Sequence, residues 1–303
     1  MTQTGLTTTR APFIERCRKR GDTYIRQPYE LYSDDNQSTW RRLFDRLEPA
    51  WKSYACSKFL SGIDALRLSR DRIPKLSEVN PYLKRLTGFR AKPVAGYMPA
   101  HLFFDSLSRR EFPTTITVRG ADKFDYSPEP DIFHDVAGHV PMHADREFAE
   151  CLVRISSFAK AAVESAREIP NPERRLGILS NRLKALARFF WYTAEFGLLR
   201  EGGRYRVYGS GLLSSVGELR HSVEDPKVRR DPLDPKQAAN LPFDETQYQP
   251  RLFFVDSFEQ LYNSVEQFFA MLREGRLDKV TPGGPGFSRD QLEGFLHWNG
   301  APA

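Results

Sequence analysis

Apolar residues recur at three- and four-residue steps over stretches far longer than any strand-like run in this chain, and that period restricts the fold more than any other feature. Trp40, Leu43, Phe44, Leu47 and Trp51 place one apolar face on a helix that Ser38 would cap. Similar patterns predict helices over 55–69, 77–87, 100–110, 131–139, 145–168, 173–200 and 257–273, with Pro74, Pro81, Gly88 and Pro93 at or near helix boundaries. Strand signals are few and short. They are the β-branched run 112–119, a hairpin arm at 205–208 between Gly202-Gly203 and Gly209, and 252–255. No self-similar repeat or low-complexity block interrupts the pattern. The expected fold class is mainly α (α+β), a single helical domain with small β elements.

With 303 residues, 40% of them hydrophobic, the chain can bury one sizeable core. Residues 1–22 lack sustained periodicity and read as a flexible tail, 23–274 as the domain, and 275–303, opening on a Gly/Pro-rich segment, as a C-terminal tail. Neither a long apolar run nor a signal-type h-region occurs, so the expectation is a cytoplasmic protein without membrane association. Cys17, Cys56 and Cys151 are odd in number and unpatterned, which favours inert thiols over disulfides or a thiolate metal site. The net charge of +6 raises nucleic acid as a partner, but Arg16, Arg18, Lys19 and Arg20 lie in the expected tail. The other bases alternate with acids as on a solvated surface, so no nucleic-acid partner is expected.

The densest chemistry lies in PEPDIFHDVAGHVPM, which holds His134 and His139. A zinc-protease pair stands four residues apart on one helical face; here the step is five, which rotates an ideal helix by about 140° beyond a full turn. The rings converge only if the helix loosens or ends between them, and Gly138 and Pro141 suit such a break. Otherwise both are polar-loop histidines. Glu195 sits on the margin of the apolar face formed by Ala187, Phe190, Trp191, Ala194 and Leu198. It pairs with Arg188 or Arg200, or reaches out to solvent, or completes with the histidines the two-His, one-carboxylate face of non-haem iron oxygenases.

The segments KPVAGYMPAHLFF, REFPTTITVR, PEPDIFHDVAGHVPM, FFWYTAEFGLL, YGSGLLSSVGEL and YQPRLFFVDSFEQL resemble the pterin-dependent aromatic amino acid hydroxylases, most closely the short bacterial phenylalanine hydroxylases, from about residue 23 to 273. The resemblance implies that His134, His139 and Glu195 bind Fe(2+), with Glu195 also counted among the catalytic groups. Asp135 is similar to the acidic residue that reaches the pterin and the metal-bound water. Gly96, Met98 and Phe103 match the pterin loop, and Ala187 and Phe190 its other wall. Arg119, held by Asp131, looks like the arginine that grips the substrate carboxylate; Ser127 and Ser214 resemble hydroxyls beside it, and Pro130 and Trp191 walls of the ring pocket. His143 has no role in the family, and Glu218 resembles an acid that orients a ligating histidine.

The resemblance thus implies a monooxygenase using O2, Fe(2+) and a tetrahydropterin on the ring of a free aromatic L-amino acid, with L-phenylalanine to L-tyrosine as the expected reaction. The run Phe243-Asp244-Glu245-Thr246-Gln247-Tyr248 carries acids where tyrosine hydroxylases have one, so tyrosine, tryptophan or meta-hydroxylation stays open. A more distant alternative is a zinc hydrolase with Asp135 as base. Lacking a regulatory domain and a heptad helix, the chain is expected to be a monomer.

Overall fold

The computed structural model describes residues 5–120 and 130–298. Helix dominates, as the periodicity requires. The first half holds α1 (Pro12–Lys19), α2 (Asp34–Tyr54), α3 (Ser57–Ala65), α4 (Leu76–Thr87) and α5 (Ala100–Ser108). They are joined by the strands β1 (Arg90–Pro93) and β2 (Glu111–Thr114), which pair in parallel. A π-helical turn, Phe133–His139, leads through α6 (Val140–His143) into the long α7 (Arg146–Arg167) and α8 (Pro172–Phe190). α8 ends in a second π-turn, Trp191–Glu195. The remainder comprises β3 (Leu198–Glu201), β4 (Arg204–Val207), α9 (Ser210–Leu213), α10 (Val216–Glu224), β5 (Arg229–Pro232), α11 (Pro235–Asn240), β6 (Arg251–Val255), α12 (Phe258–Arg273) and α13 (Arg289–His297). The second sheet has the order β4-β3-β6-β5, antiparallel between β3 and β4 and parallel elsewhere.

Side chains at the helix ends take up donors that the helix cannot pair. Asp145 caps α7, Asn171 caps α8 with Pro172 at its first position, and Ser257 caps α12. α2 begins earlier than Ser38: Ser33 and Asn36 form a reciprocal capping box, and Ser38 lies inside the helix. Pro81 likewise lies inside α4 rather than at its boundary. The core is aromatic. Phe268 of α12 stacks between Phe158 of α7 and Phe189 of α8, at centroid distances of 4.4 and 4.5 Å. Trp40 and Trp51 of α2 both pack on Phe133. That contact anchors the first π-turn one residue before His134.

Two expected elements change, and one strand lies where none was expected. The helix predicted over 173–200 stops at Glu195 and the chain enters β3; Gly197, between them, lies so close to the Tyr208 ring and the Thr193 carbonyl that no side chain fits. The strand predicted over 112–119 pairs only as far as Thr114. Beyond it the backbone donors leave the sheet: Thr115 N–H goes to Asp135, Val118 N–H to the Leu6 carbonyl of the N-terminal segment and Arg119 N–H to Asp131. β5 escapes the strand pattern because Arg-Arg-Asp-Pro has no apolar alternation, as suits an edge strand.

The expected tails are packed where they are described. Leu6, Ala11, Ile14 and Cys17 form a small cluster with Ala95 and Ile116. Near the other end Leu292 and Phe295 of α13 are buried in the main core. Arg188, fully buried, donates to the carbonyls of Ala239, Gly283 and Gly284, tying the Gly/Pro-rich segment to α8. The apolar residues of both segments are too sparse to show a period, yet each finds a groove. The three cysteines are buried and free. No helix among the described residues is long and apolar enough to cross a membrane.

Candidate active site

The five-residue histidine step is accommodated by helix geometry rather than by a break. From Phe133 to His139 the backbone widens to π-type spacing, in which residue i bonds residue i+5, and the Val140 N–H accordingly reaches the Asp135 carbonyl. Residues five apart then lie over one another. The His134 and His139 rings stand 4.8 Å apart at 88°, with their Nε2 atoms separated by 3.2 Å. Pro141 enters only at the start of α6, where a missing N–H is tolerated. The same device shapes the end of α8: the Phe196 N–H reaches the Trp191 carbonyl, and the added residue turns Glu195 toward the histidines.

Glu195 Oε1 lies 3.1 Å from His139 Nε2, and Oε2 lies 3.8 Å from His134 Nε2. One ligand atom from each of the three groups falls within 4.8 Å of the others. Atoms held about 2.1 Å from a common ion at cis-octahedral positions would be about 3.0 Å apart, so the two shorter separations suit one face of an octahedron. The alternative partners of Glu195 are engaged elsewhere, Arg188 on backbone carbonyls and Arg200 on Asp256. Burial disfavours the Glu195 charge, but His139 and then His134 outweigh it and hold the carboxyl at about 2. Burial, aided by His139, lowers His134 to about 4, leaving a neutral imidazole of the kind that binds a metal.

α9 supplies the supporting hydroxyls. Ser214 Oγ lies 2.9 Å from His134 Nδ1. Ser210 Oγ donates to Glu195 Oε2 at 2.9 Å and lies equally close to His139 Nε2. Gly138 permits this approach, since a Cβ there would stand 3.2 Å from the Ser210 carbonyl oxygen. The sequence alone assigns no role to Ser210. Serines in the YGSGLLSS run are the available signal, but only the fold tells one hydroxyl from another.

His134 and Glu195 border a cavity of about 470 Å³ lined also by Tyr97, Phe103, Arg119, Pro130, Phe190, Trp191, Phe196, Ser214, Glu218 and Glu245. Arg119 is buried and forks onto Asp131, with Nε and Nη2 each 2.9 Å from a carboxylate oxygen. Burial opposes both charges, yet their attraction raises the Arg119 pKa and lowers that of Asp131, which also accepts the backbone N–H groups of Arg119 and His134. Trp191 is sandwiched between Phe196 and Phe243, with centroids 4.3 and 4.1 Å away. Phe103 and Phe190 meet edge to face at 6.0 Å.

Other expected residues lie apart from this cavity. Gly96 and Met98 line a neighbouring cleft of about 200 Å³ with residues of the N-terminal segment and with Tyr97, which also lines the main cavity. Ala187 is half-buried on α8. Asp135, pushed up to about 6 by burial, accepts from the Thr115 N–H and hydroxyl at 2.6 and 2.7 Å. His143 is buried among Phe89, Phe112 and Phe148 and away from the cluster's ligand atoms. Glu218 does not orient His134, whose Nδ1 is served by Ser214. Ser127 and the loop 122–126 lie outside the described residues.

The chain matches known proteins over most of its length. The profile of the family described as biopterin-dependent aromatic amino acid hydroxylase matches residues 19–275. A phenylalanine-4-hydroxylase of Caulobacter vibrioides is 36% identical over 262 residues, 86% of this chain and 84% of that protein. Tyrosine 3-monooxygenase of Bos taurus is 34% identical over 269 residues, 87% of this chain and 50% of that protein. The iron- and phenylalanine-bound crystal structure of phenylalanine hydroxylase from Chromobacterium violaceum superposes with a TM-score of 0.75 at 32% identity, covering 89% of this chain and 92% of that one. A facial cluster of two histidines and a glutamate, opening on an aromatic cavity with a buried arginine, is thus set in a chain that belongs to the biopterin-dependent aromatic amino acid hydroxylases.

Proposed function

We propose that this protein is an iron(II)- and tetrahydropterin-dependent monooxygenase that uses O2 to hydroxylate the ring of a free aromatic L-amino acid, with L-phenylalanine to L-tyrosine as its reaction. The observation that carries the proposal is the convergence of His134, His139 and Glu195, two of which, His134 and Glu195, line a cavity that also holds Tyr97, Phe103, Phe190, Trp191, Phe196 and Arg119. Iron and pterin together supply the electrons and the oxygen activation that a closed-shell arene needs. In this reading the chain's own residues provide placement. His134, His139 and Glu195 would hold the metal on one face, leaving its other positions open. Ser210 and Ser214 fix the ligands' orientation.

Arg119, pre-aligned by Asp131, would bind the substrate carboxylate with the guanidinium donors that Asp131 does not use, in the cavity that Ser214 also lines. Trp191, immobilised between two rings, and Pro130 would wall the substrate ring. Phe103 and Phe190 would border the pterin, with Gly96, Met98 and Ala187 at its edges and Asp135 directing a proton or water near the metal. A zinc hydrolase is less well supported, because the family whose profile matches residues 19–275 is one of hydroxylases. We take the protein to act in the cytoplasm as a monomer on small molecules, without nucleic acid or membrane. The Arg229–Arg230 pair supports this: Arg229 meets Asp231, and Arg230 is spent on backbone carbonyls.

Tyrosine as substrate is the second reading, favoured by Glu245, which places an acid on the cavity wall. Anaerobic reconstitution with Fe(II), followed by O2, tetrahydropterin and each aromatic amino acid in turn, separates the two by mass spectrometry of the product. Tyrosine formed from phenylalanine is expected; zinc-dependent hydrolysis with no pterin oxidation would overturn the proposal.

A further inference from the structure

A zwitterionic amino acid brings two charges into its site, and a cavity that removes water from both must answer both. Arg119 answers the carboxylate. The same cavity holds a second ionisable group that the proposed placement leaves without a task. Glu218 lies in the first turn of α10 and is only 3% exposed. Its Oε2 has no hydrogen-bond partner among the described residues, and no Lys, Arg or His among them comes within ion-pairing distance of it. Burial alone pushes this carboxyl up to about 7, as expected of an acid lacking a cation. Within a folded core such a group is a standing cost unless something cationic arrives to pair with it.

The cavity's other carboxylates do not serve that purpose. Glu195 is committed to His139 and Ser210, and Glu245 is exposed at the outer edge. We propose that Glu218 receives the α-ammonium group of the substrate whose carboxylate is held by Arg119. This inference rests on the function proposed above and deepens it. Arg119 and Glu218 together make the site read the α-amino acid head, so that an arylalkanoic acid of the same ring and chain length is rejected for want of a cation. Glu218 is then a positioning residue. By fixing the head at two points it fixes the azimuth of the ring against the triad, which a single Arg–carboxylate contact leaves free to swivel.

The test compares L-phenylalanine with 3-phenylpropanoate as ligands of the iron-reconstituted protein by calorimetry, alongside steady-state kinetics. Wild type is expected to prefer the amino acid strongly. Glu218→Gln is expected to weaken phenylalanine binding about 100-fold, as when one partner of a buried charge pair is removed, while 3-phenylpropanoate binds as before or more tightly. Iron content should be unchanged, and Glu218→Asp should recover part of the preference. Equal loss of both ligands, or an unchanged preference in Glu218→Gln, would overturn the assignment. A wild type that hydroxylates no aromatic amino acid sinks the proposed function and this inference together, and is seen before any variant is made.

Discussion

Single side chains here are governed by what burial does to charge. Arg119 and Asp131 keep theirs because each supplies the other's partner in fork geometry. Glu218 has no such partner among the described residues, and this sets its pH behaviour. Its carboxyl titrates at about 7 in the folded chain against an ordinary value of 4.5. Between those values the folded state holds a proton that the unfolded state has released, so its stabilising contribution is complete below about pH 4.5 and is lost as the pH rises through about 7. Glu218→Gln should therefore match wild type near pH 4.5 and be more stable by about 2–3 kcal/mol at pH 8. Urea unfolding of both proteins at several pH values, without amino acid, measures this. Parallel profiles would show that Glu218 is paired or hydrated after all.

At the level of elements, two π-turns do what ordinary helices would not. Each adds one residue to a turn, one bringing His139 over His134 and the other swinging Glu195 inward. The short α9 then packs across both, and its closeness depends on Gly138. A methyl group added there would press on the Ser210 carbonyl at 3.2 Å while meeting Ser214 Cβ in ordinary contact at 3.5 Å, and α9 would have to yield by a few tenths of an ångström. Because both hydroxyls touch the triad, Gly138→Ala is expected to weaken Fe(II) binding about tenfold while the protein still folds. Competition with a chromophoric chelator reads this directly; wild-type affinity would mean that the serines do not hold the ligands in place.

Across the whole molecule, the site draws on segments far apart in sequence. The histidines come from a turn anchored on α2 through Phe133, the glutamate from the end of α8, and the hydroxyls from α9. A bound metal therefore links several parts of the core and should stabilise the fold as a whole. Saturation at about a hundred times the dissociation constant is worth about 2.7 kcal/mol, or several degrees in Tm for a chain of this size. Removing iron with a chelator should lower Tm by that amount and Fe(II) should restore it. In Glu195→Ala, Fe(II) should produce little shift. Calorimetric scans of the two proteins with and without metal decide it, and an equal Fe(II) shift in both would exclude Glu195 as a ligand.

Much of this architecture was legible in the chain itself. The long helices follow from apolar spacing, the β4 arm of the hairpin from Gly202-Gly203 before it, and the candidate ligands from the rarity of histidine and the company it keeps. What the sequence by itself determined was which residue types were available for chemistry and which faces had to be buried. Only the tertiary structure decided how a five-residue step becomes a shared face, that the helix bearing Glu195 stops there with Gly197 packed against Tyr208, and that Ser210 and Glu218 border the site. The physical reason is that periodicity records a residue's exposure to a neighbouring layer. The widening of a helical turn and the loss of a partner for a buried carboxylate arise from contacts between segments that no local pattern encodes.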